Sequence, residues 1–320
     1  MTVEDLIAEL QEKLAELKRV ARENGRDLTP DIAELEQRVA QLSQGRGAWD
    51  QVQLARHPSR PTTLDYLDLL MDGFYELHGD RLGSDDSAIV GGLAKFAGRT
   101  VVVVGHQKGR NLAEKRARRS GMAGPGGYRK AMRIMRLGER FGFPIITLID
   151  TPGAYPGVAA EEHNIGGAIA DSIHAMLRLR TPIVVAVIGE GGSGGALGIG
   201  VGDRVLMMEN AYYSVISPEG CAAILWGDRS RAPEAAAALR LTAHDLLDLG
   251  VIDEVVREPP GGAHTDPEGA ARSLGEALRR HLDELRGMVP GELPALRGSK
   301  FRGMGICEGA VPVTHEQGGE

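Results

Sequence analysis

The residues with the clearest capacity for chemistry form the heptapeptide Gly189-Glu190-Gly191-Gly192-Ser193-Gly194-Gly195, which we name the glycine turn. An apolar run over 182–188 precedes it and predicts a strand, and Ala196 and Leu197 predict the opening of a helix. In such a strand, turn and helix, several backbone N–H groups point outward and the helix dipole adds positive potential. The glycine turn is therefore predicted to stabilise an anion through its main chain.

A dinucleotide-binding site is a first alternative for the same residues. The pattern Gly189-x-Gly191-x-x-Gly194 matches the fingerprint of such sites, and Glu209 lies near the position of a ribose-binding acid. The segment between the turn and Asp203 is, however, short for the crossover helix of that fold. This spacing argues against a bound dinucleotide.

A serine nucleophile is a second alternative, because Gly191-x-Ser193-x-Gly195 matches a nucleophile elbow. Its partners in hydrolase order would be Asp245 or Asp253, followed by His264. A chain with nine histidines often supplies one in that order, so the order is weak evidence. An oxyanion hole needs no nucleophile, and each of its donors contributes about 3–4 kcal/mol. The 44 glycines among 320 residues favour this third interpretation.

A second glycine-rich turn repeats the layout of the first. The apolar run 144–150 precedes Thr151-Pro152-Gly153-Ala154-Tyr155-Pro156-Gly157, and a helix is predicted to begin near Glu161. Gly153 and Gly157 are therefore predicted to support the site. Asp150 could act as a base, although an acid at a strand end is more typical of a turn or cap. The repetition predicts stacked units that present their turns to one cleft.

One basic cluster stands out in a chain whose formal charge is -7, a balance that argues against extensive nucleic-acid binding. Its six cations fall within twelve residues, and they are Lys108, Arg110, Lys115, Arg116, Arg118 and Arg119. We expect either a local anion site or the solvated face of a helix.

The pattern of apolar residues predicts an α/β protein with parallel pairing. Strands are expected over 88–93, 100–105, 144–150, 182–189, 204–208, 212–216 and 250–256. Helices are expected over 64–77, 129–141, 161–179, 242–249 and 267–288. Two of these helices lie between consecutive strands and have the length of crossover connections.

The N-terminal region predicts a helical hairpin over 1–45, followed by a main domain over 46–290 and a C-terminal tail over 291–320. Apolar residues recur at helical spacing in both arms of the hairpin, at Ile7, Leu10, Leu14, Leu17, Ala21, Ile32, Leu35, Val39 and Leu42. There is no run of the length that spans a membrane, and the two cysteines form no metal or disulfide pattern. We therefore expect a cytoplasmic protein.

Six segments of the chain resemble the carboxyltransferase alpha subunits of acetyl-CoA carboxylase. They extend over about residues 48–265 and comprise Leu54-Ala-Arg-His-Pro58, Gly105-His-Gln-Lys-Gly-Arg110, Tyr128-Arg-Lys-Ala131, Asp150-Thr-Pro-Gly-Ala-Tyr-Pro-Gly157, the glycine turn and Ser214-Val-Ile-Ser-Pro-Glu-Gly-Cys-Ala222. The resemblance implies a crotonase-like (ClpP/crotonase) fold, a spiral of ββα units. It also implies transfer of a carboxyl group from carboxybiotin to acetyl-CoA, which forms malonyl-CoA for fatty acid biosynthesis.

The resemblance further implies a split active site. In the family carboxybiotin is a substrate on the biotin carboxyl carrier protein, and no cofactor is attached to the alpha chain. The alpha chain holds the biotin side, which assigns the backbone oxyanion hole to Gly194 and Gly195, with Gly191 and Gly192 as neighbours. A zinc-containing beta subunit, in an alpha2-beta2 assembly, supplies the enolate side, so no metal is expected here.

The full complex implied by the resemblance also contains biotin carboxylase. In it the basic cluster, from Lys108 to Arg119, is expected to attract CoA phosphates or the acidic carrier domain. The alternative from a different class is a free-standing acyl-CoA hydratase or hydrolase of the same fold. A chain of that class would turn over its substrate without a partner subunit.

Overall fold

The computed structural model describes residues 47–305 and eight single positions before them, which are Leu10, Lys13, Leu14, Glu16, Leu17, Arg19, Ile32 and Leu35. All eight positions are helical, and Leu14 is buried. The rest of the predicted hairpin lies outside the described residues, as does the chain after Gly305. The hairpin therefore stays a prediction.

A single eight-stranded sheet organises the described residues. Its strands are β1 (Asp72–Glu76), β2 (Ile89–Phe96), β3 (Arg99–His106), β4 (Ile145–Thr151), β5 (Ile183–Gly192), β6 (Arg204–Met208), β7 (Tyr212–Ser214) and β8 (Glu254–Val256). The order is β1-β2-β3-β4-β5-β6-β8, and β7 pairs with the carboxyl end of β5. The first three strands are antiparallel, whereas β3 to β8 pair in parallel. The predicted α/β class and parallel pairing are confirmed.

Helices cover the sheet and connect its parallel strands. They are α1 (Ala48–Ala55), α2 (Thr63–Leu70), α3 (Leu112–Ala117), α4 (Pro125–Phe141), α5 (Val158–Glu162), α6 (Ile165–Arg178), α7 (Ser193–Leu197), α8 (Pro218–Trp226), α9 (Ala232–Leu239), α10 (Ala243–Asp248), α11 (Pro267–Arg286) and α12 (Leu293–Arg302). Short 3₁₀ turns occupy Arg119–Gly121 and Arg229–Arg231. Among the helices of the described residues, none is long and apolar enough to cross a membrane.

The crossover helices α4 and α6 place the ends of three strands together. Helix α4 joins β3 to β4 and α6 joins β4 to β5, so the carboxyl ends of these parallel strands meet at one edge. Every residue of β4 and β5 is buried, as expected for strands covered on both faces. The edge carries His106, Thr151 and Gly192, which end β3, β4 and β5.

Three local predictions differ from the structure. The helix expected over 64–77 is wrong beyond Leu70, because Met71 is extended and β1 then pairs with β2. Helices α8 and α9 were not anticipated between 217 and 241. Within the predicted tail, α12 packs through Leu293 and Arg297, and the buried Arg297 guanidinium pairs with Asp203 at 2.8 Å. The boundary at 290 stays a prediction.

Candidate functional site

The two glycine-rich turns touch at the carboxyl edge of the sheet. A Cβ atom built on Gly192 would lie 2.1 Å from the Pro152 carbonyl oxygen, and one on Gly195 would lie 2.3 Å from the Ala154 nitrogen. Both distances are shorter than any real contact, so glycine is required for the two backbones to meet. Gly153, predicted as a supporting residue, lies within this contact, because the Cβ on Gly195 would also lie 2.3 Å from its carbonyl carbon.

The glycine turn is more compact than the sequence suggests, because strand β5 continues through Gly192 and α7 begins at once with Ser193. Ser193 makes the reversal with a left-handed φ of 52°. No side chain caps the helix. The N–H groups of a helix's first turn have no intrahelical acceptor, so the amides of Gly194 and Gly195 start α7 as donors. Gly194 is partly exposed, whereas Gly195 is buried.

An apolar pocket of about 360 Å³ adjoins this end of α7. Ser193 and Gly194 form one wall of the pocket, and its other walls are mainly aliphatic or aromatic. Those walls are Leu197, Gly200, Val205, Tyr213, Ser214, Val215, Leu239, Leu246, Val251, Phe301 and Met304. The site therefore combines main-chain donors with an apolar surface.

A buried ion network is centred on Glu190, the second residue of the glycine turn. Its carboxylate accepts from Lys108 Nζ at 2.6 Å and from Arg56 Nε at 2.7 Å, and the Tyr212 hydroxyl donates to it at 2.7 Å. Burial alone would raise the pKa of Glu190, but Lys108 and Arg56 outweigh burial and lower that pKa to about 2. Glu190 is therefore a fixed anion of the scaffold.

Lys108 does not belong to the exposed basic surface. Its ammonium also lies 2.7 Å from Asp150, and the side chain is 17% exposed. Burial would lower the pKa of Lys108, but Asp150 and Glu190 raise it. The carboxylate of Asp150 also accepts from the amide of Glu190 at 2.9 Å. Lys108 thus has its counter-ions within the chain, and Asp150 has a cap-like structural role rather than that of a free base.

The other five predicted cations occupy separate environments. Arg110 pairs with Asp65, and Arg119 pairs with Asp86 and lies over the Tyr155 ring at 4.8 Å. Lys115 and Arg116 are exposed on α3. Arg118 follows α3 and donates to the Ser87 carbonyl at 2.8 Å. The sequence cluster is thus divided by the fold, and Lys115, Arg116 and Arg118 form its surface part.

The partners required by a nucleophile elbow are engaged elsewhere. Asp245 accepts from the Thr242 hydroxyl at 2.6 Å, and Asp253 accepts from the Val205 amide at 2.6 Å. His264 stacks on His57 with ring centroids 3.7 Å apart. A dinucleotide site is also disfavoured, because the helix after the turn has only five residues. The structure therefore supports neither the nucleophile elbow nor the dinucleotide-binding site.

The structure also brings two tyrosines to the site that were not predicted as site residues, Tyr128 and Tyr155. The Tyr128 hydroxyl, on α4, donates to the Gly195 carbonyl at 3.0 Å. Gly157 allows the Tyr155 ring to fold back, since a Cβ there would lie 2.3 Å from ring atom Cε1. A single sequence does not indicate these contacts, because neither a glycine nor a tyrosine shows which residue it will contact in the fold. Among the described residues, no group of three or more His, Cys, Asp or Glu could hold a metal.

Comparison with known families gives a match over most of the chain. The family described as acetyl co-enzyme A carboxylase carboxyltransferase-like matches residues 1–305. An acetyl-coenzyme A carboxylase carboxyl transferase subunit alpha from Deinococcus radiodurans is 53% identical over 311 residues, which cover 96% of this chain and 98% of the relative. The subunit of the same name from Thermus thermophilus is 55% identical over 303 residues, which cover 93% of this chain and 96% of the relative.

Solved structures show the same fold at much lower identity. The transcarboxylase 12S structure superposes with a TM-score of 0.57 at 21% identity, over 72% of this chain and 44% of that one. A chain of the Pseudomonas malonate decarboxylase hetero-dimer superposes with a TM-score of 0.57 at 17% identity, over 75% of this chain and 96% of that one. At these identities the likeness carries the fold, which is crotonase-like as predicted.

Proposed function

The chain belongs to the family of acetyl-CoA carboxylase carboxyltransferase alpha subunits, and from this premise we propose that Gly194 and Gly195 form the oxyanion hole on the biotin side of the reaction. The observation that supports the proposal is the start of α7, where uncapped amides adjoin an apolar pocket of about 360 Å³. The fused rings of biotin offer one polar ureido oxygen on an otherwise apolar body. The amides would receive that oxygen and the pocket would receive the carbon skeleton.

The amides would act on charge that develops during carboxyl transfer. When carboxybiotin gives up its carboxyl group, the breaking N–C bond leaves its electron pair on the ureido group. That group takes a proton from the acetyl methyl of acetyl-CoA, and the resulting enolate carbon bonds to the released carboxyl carbon to give malonyl-CoA. Fixed N–H donors stabilise the ureido anion and need no side-chain nucleophile, which makes Ser193 a structural residue.

A partner subunit is part of this proposal. The chain offers one oxyanion hole, whereas the reaction also develops charge on the thioester oxygen of the enolate. Two large apolar side chains that line the pocket are exposed, with Leu197 40% and Val215 76% exposed. A zinc-containing beta subunit covering this face in an alpha2-beta2 assembly would supply the second hole. The related malonate decarboxylase chain occurs in a hetero-dimer.

The remaining partners follow from the same premise. Carboxybiotin would arrive as a substrate on the biotin carboxyl carrier protein, after charging by biotin carboxylase in the cytoplasm. Lys115, Arg116 and Arg118 are the part of the basic cluster that could attract CoA phosphates or an acidic carrier domain. Lys108, Arg110 and Arg119 have carboxylate partners of their own and would hold the scaffold.

Co-expression with the matching beta subunit tests the proposal. The purified assembly should decarboxylate malonyl-CoA with free biotin as acceptor, and the chain alone should not. The chain alone should also leave crotonyl-CoA and simple esters unchanged. Turnover of either compound by the chain alone would support the free-standing hydratase or hydrolase. An assembly that contains both folded chains but carries out no biotin-dependent decarboxylation of malonyl-CoA would overturn the proposal.

A further inference from the structure

Helix α7 depends on other elements for its orientation. It has five residues, and a helix of that length is not stable through its own hydrogen bonds. One of its carbonyls and the carbonyl of Gly198, which caps its end, accept from buried hydroxyl groups on longer helices. Tyr128 on α4 donates to Gly195 at 3.0 Å, and Ser172 on α6 donates to Gly198 at 2.6 Å. Both donors are 0% exposed.

The Tyr128 ring lies directly against α7. A Cβ atom on Gly198 would lie 2.4 Å from ring atom Cε1 of Tyr128, so glycine at this position lets the ring pass under the helix. Burial raises the pKa of Tyr128, and the nearby Asp86 raises it further. Both effects favour the protonated hydroxyl, which is the form that donates to Gly195.

Glycine gives the donors of the proposed oxyanion hole little conformational restraint of their own. Gly194 and Gly195 have no side chains to limit φ and ψ, and only Gly195 is limited by the close approach of the second glycine-rich turn. The Gly195 carbonyl shares a peptide plane with the Ala196 N–H, so the hydrogen bond from Tyr128 holds that plane. The Gly195 N–H is joined to it through a single residue, so a fixed plane at 195–196 limits how far the start of α7 can turn. Oxyanion stabilisation requires donors that are already in place before charge develops.

We propose that Tyr128 is a positioning residue for carboxyl transfer. Its hydroxyl holds α7 in place, and thereby keeps the Gly194 and Gly195 amides directed toward the anion. The proposal rests on the proposed oxyanion hole, since Tyr128 itself lies behind α7 and is fully buried. Ser172 provides the second restraint on the same helix. The two hydroxyl groups connect the site to α4 and α6, the crossover helices of the sheet.

The test compares Tyr128→Phe with Tyr66→Phe in the assembly with the beta subunit. Tyr66 is a matched control, because it is also 0% exposed and its hydroxyl has no hydrogen-bond partner in the described structure. Tyr128→Phe should lower kcat for biotin-dependent malonyl-CoA decarboxylation about 10-fold or more, with KM for malonyl-CoA within about twofold. Tyr66→Phe should change neither constant. Ser172→Ala, a smaller change, should lower kcat in the same direction.

Hydrogen exchange gives a readout that does not depend on activity. The amides of Gly198 and Gly200, which donate to the Gly194 and Leu197 carbonyls of α7 at 3.0 Å, should exchange about 10-fold faster in Tyr128→Phe than in Tyr66→Phe, because α7 loses a restraint. Unchanged exchange together with unchanged kcat would overturn the positioning role. Faster exchange with unchanged kcat would instead overturn the proposed oxyanion hole, since α7 would then move without consequence for the reaction. A Tyr128→Phe protein that does not fold leaves Ser172→Ala to decide by the same two measurements.

Discussion

A Cβ atom at Gly195 would lie 2.3 Å from the backbone nitrogen of Ala154, whereas at Gly194 the nearest atom is Ile169 Cδ1 at 3.8 Å. The two glycines of the proposed oxyanion hole therefore differ in what they tolerate. Gly195 is fixed by the approach of the second glycine-rich turn, and Gly194 has room for a methyl group. The sequence alone does not show this difference between Gly194 and Gly195.

Alanine substitution should separate the two positions. Gly195→Ala should reduce carboxyl transfer at least 100-fold, because the turns must move apart and α7 is displaced. Gly194→Ala should stay within about 10-fold of the parent, because its amide remains and its Cβ has space. Steady-state rates of the assembled enzyme, with thermal unfolding of each variant, give the comparison. Equal losses at both positions would show that the turn contact does not determine the site.

Ser193 should be dispensable as a side chain. Ser193→Ala should retain carboxyl transfer within about threefold, since an oxyanion hole uses only main-chain donors. Ser193→Gly should unfold at a slightly higher temperature than Ser193→Ala, because glycine adopts the observed φ of 52° without steric cost. A folded Ser193→Ala protein without activity would favour a nucleophile elbow instead.

Glu190 should make stability depend on acid pH. Its folded pKa of about 2 lies below its ordinary value of 4.5, so its contribution is fully present above pH 4.5 and is lost as the pH falls toward 2. Glu190→Gln should flatten this acid dependence in urea unfolding. At pH 7 it should also cost about 3 kcal/mol, because Lys108 and Arg56 lose a buried partner.

The exposed pair of Arg99 and Asp283 provides the control for Glu190. The Arg99 Nη1 and Asp283 Oδ1 atoms lie 2.7 Å apart, yet the two side chains are 52% and 53% exposed. Asp283→Asn should therefore change the free energy of unfolding by less than about 1 kcal/mol. If Glu190→Gln were as mild as Asp283→Asn, the buried network would not stabilise the turn.

Charge reversal tests the surface part of the basic cluster. The double variant Arg116→Glu with Arg118→Glu should raise KM for the CoA substrate or the carrier protein about fivefold at low salt, with kcat unchanged. The effect should shrink as salt increases, because exposed charges are screened. The double variant Arg136→Glu with Arg229→Glu, at two other exposed positions, makes the same change in net charge and is the control. Unchanged KM values for both substrates would remove the anion site from the proposal.

Much of the fold could be predicted from the sequence because most of its strands are short apolar runs separated by turns and helical segments. β6 has the expected bounds of Arg204–Met208, and α4 and α6 lie where crossover helices were expected. The helix expected over 64–77 ended early, since a helical run gives no warning of pairing between β1 and β2. α12 was missed because its residues lack an amphipathic pattern and its main anchor is a buried arginine, Arg297.

The site was less predictable, because its details depend on contacts between distant residues. The glycine turn was found from composition, but its contact with Pro152–Ala154 required the parallel register of β4 and β5. Lys108 looked like its basic neighbours in sequence, and only the fold shows that it faces Glu190 and Asp150. Tyr128 begins one of the segments that resemble the family, but its contact with Gly195 required the fold, because a buried tyrosine is usual in any core.

Removal of a single backbone N–H tests the central claim most directly. Semisynthesis with glycolic acid at Gly194 or at Gly195 replaces the amide N–H by an ester oxygen and leaves the shape of α7 nearly unchanged. The same replacement at Gly166, an exposed residue in the first turn of α6, is the control. We predict that kcat for biotin-dependent carboxyl transfer falls about 100-fold at Gly194 or Gly195 and stays constant at Gly166. Full activity of both esters at the glycine turn would contradict the oxyanion hole.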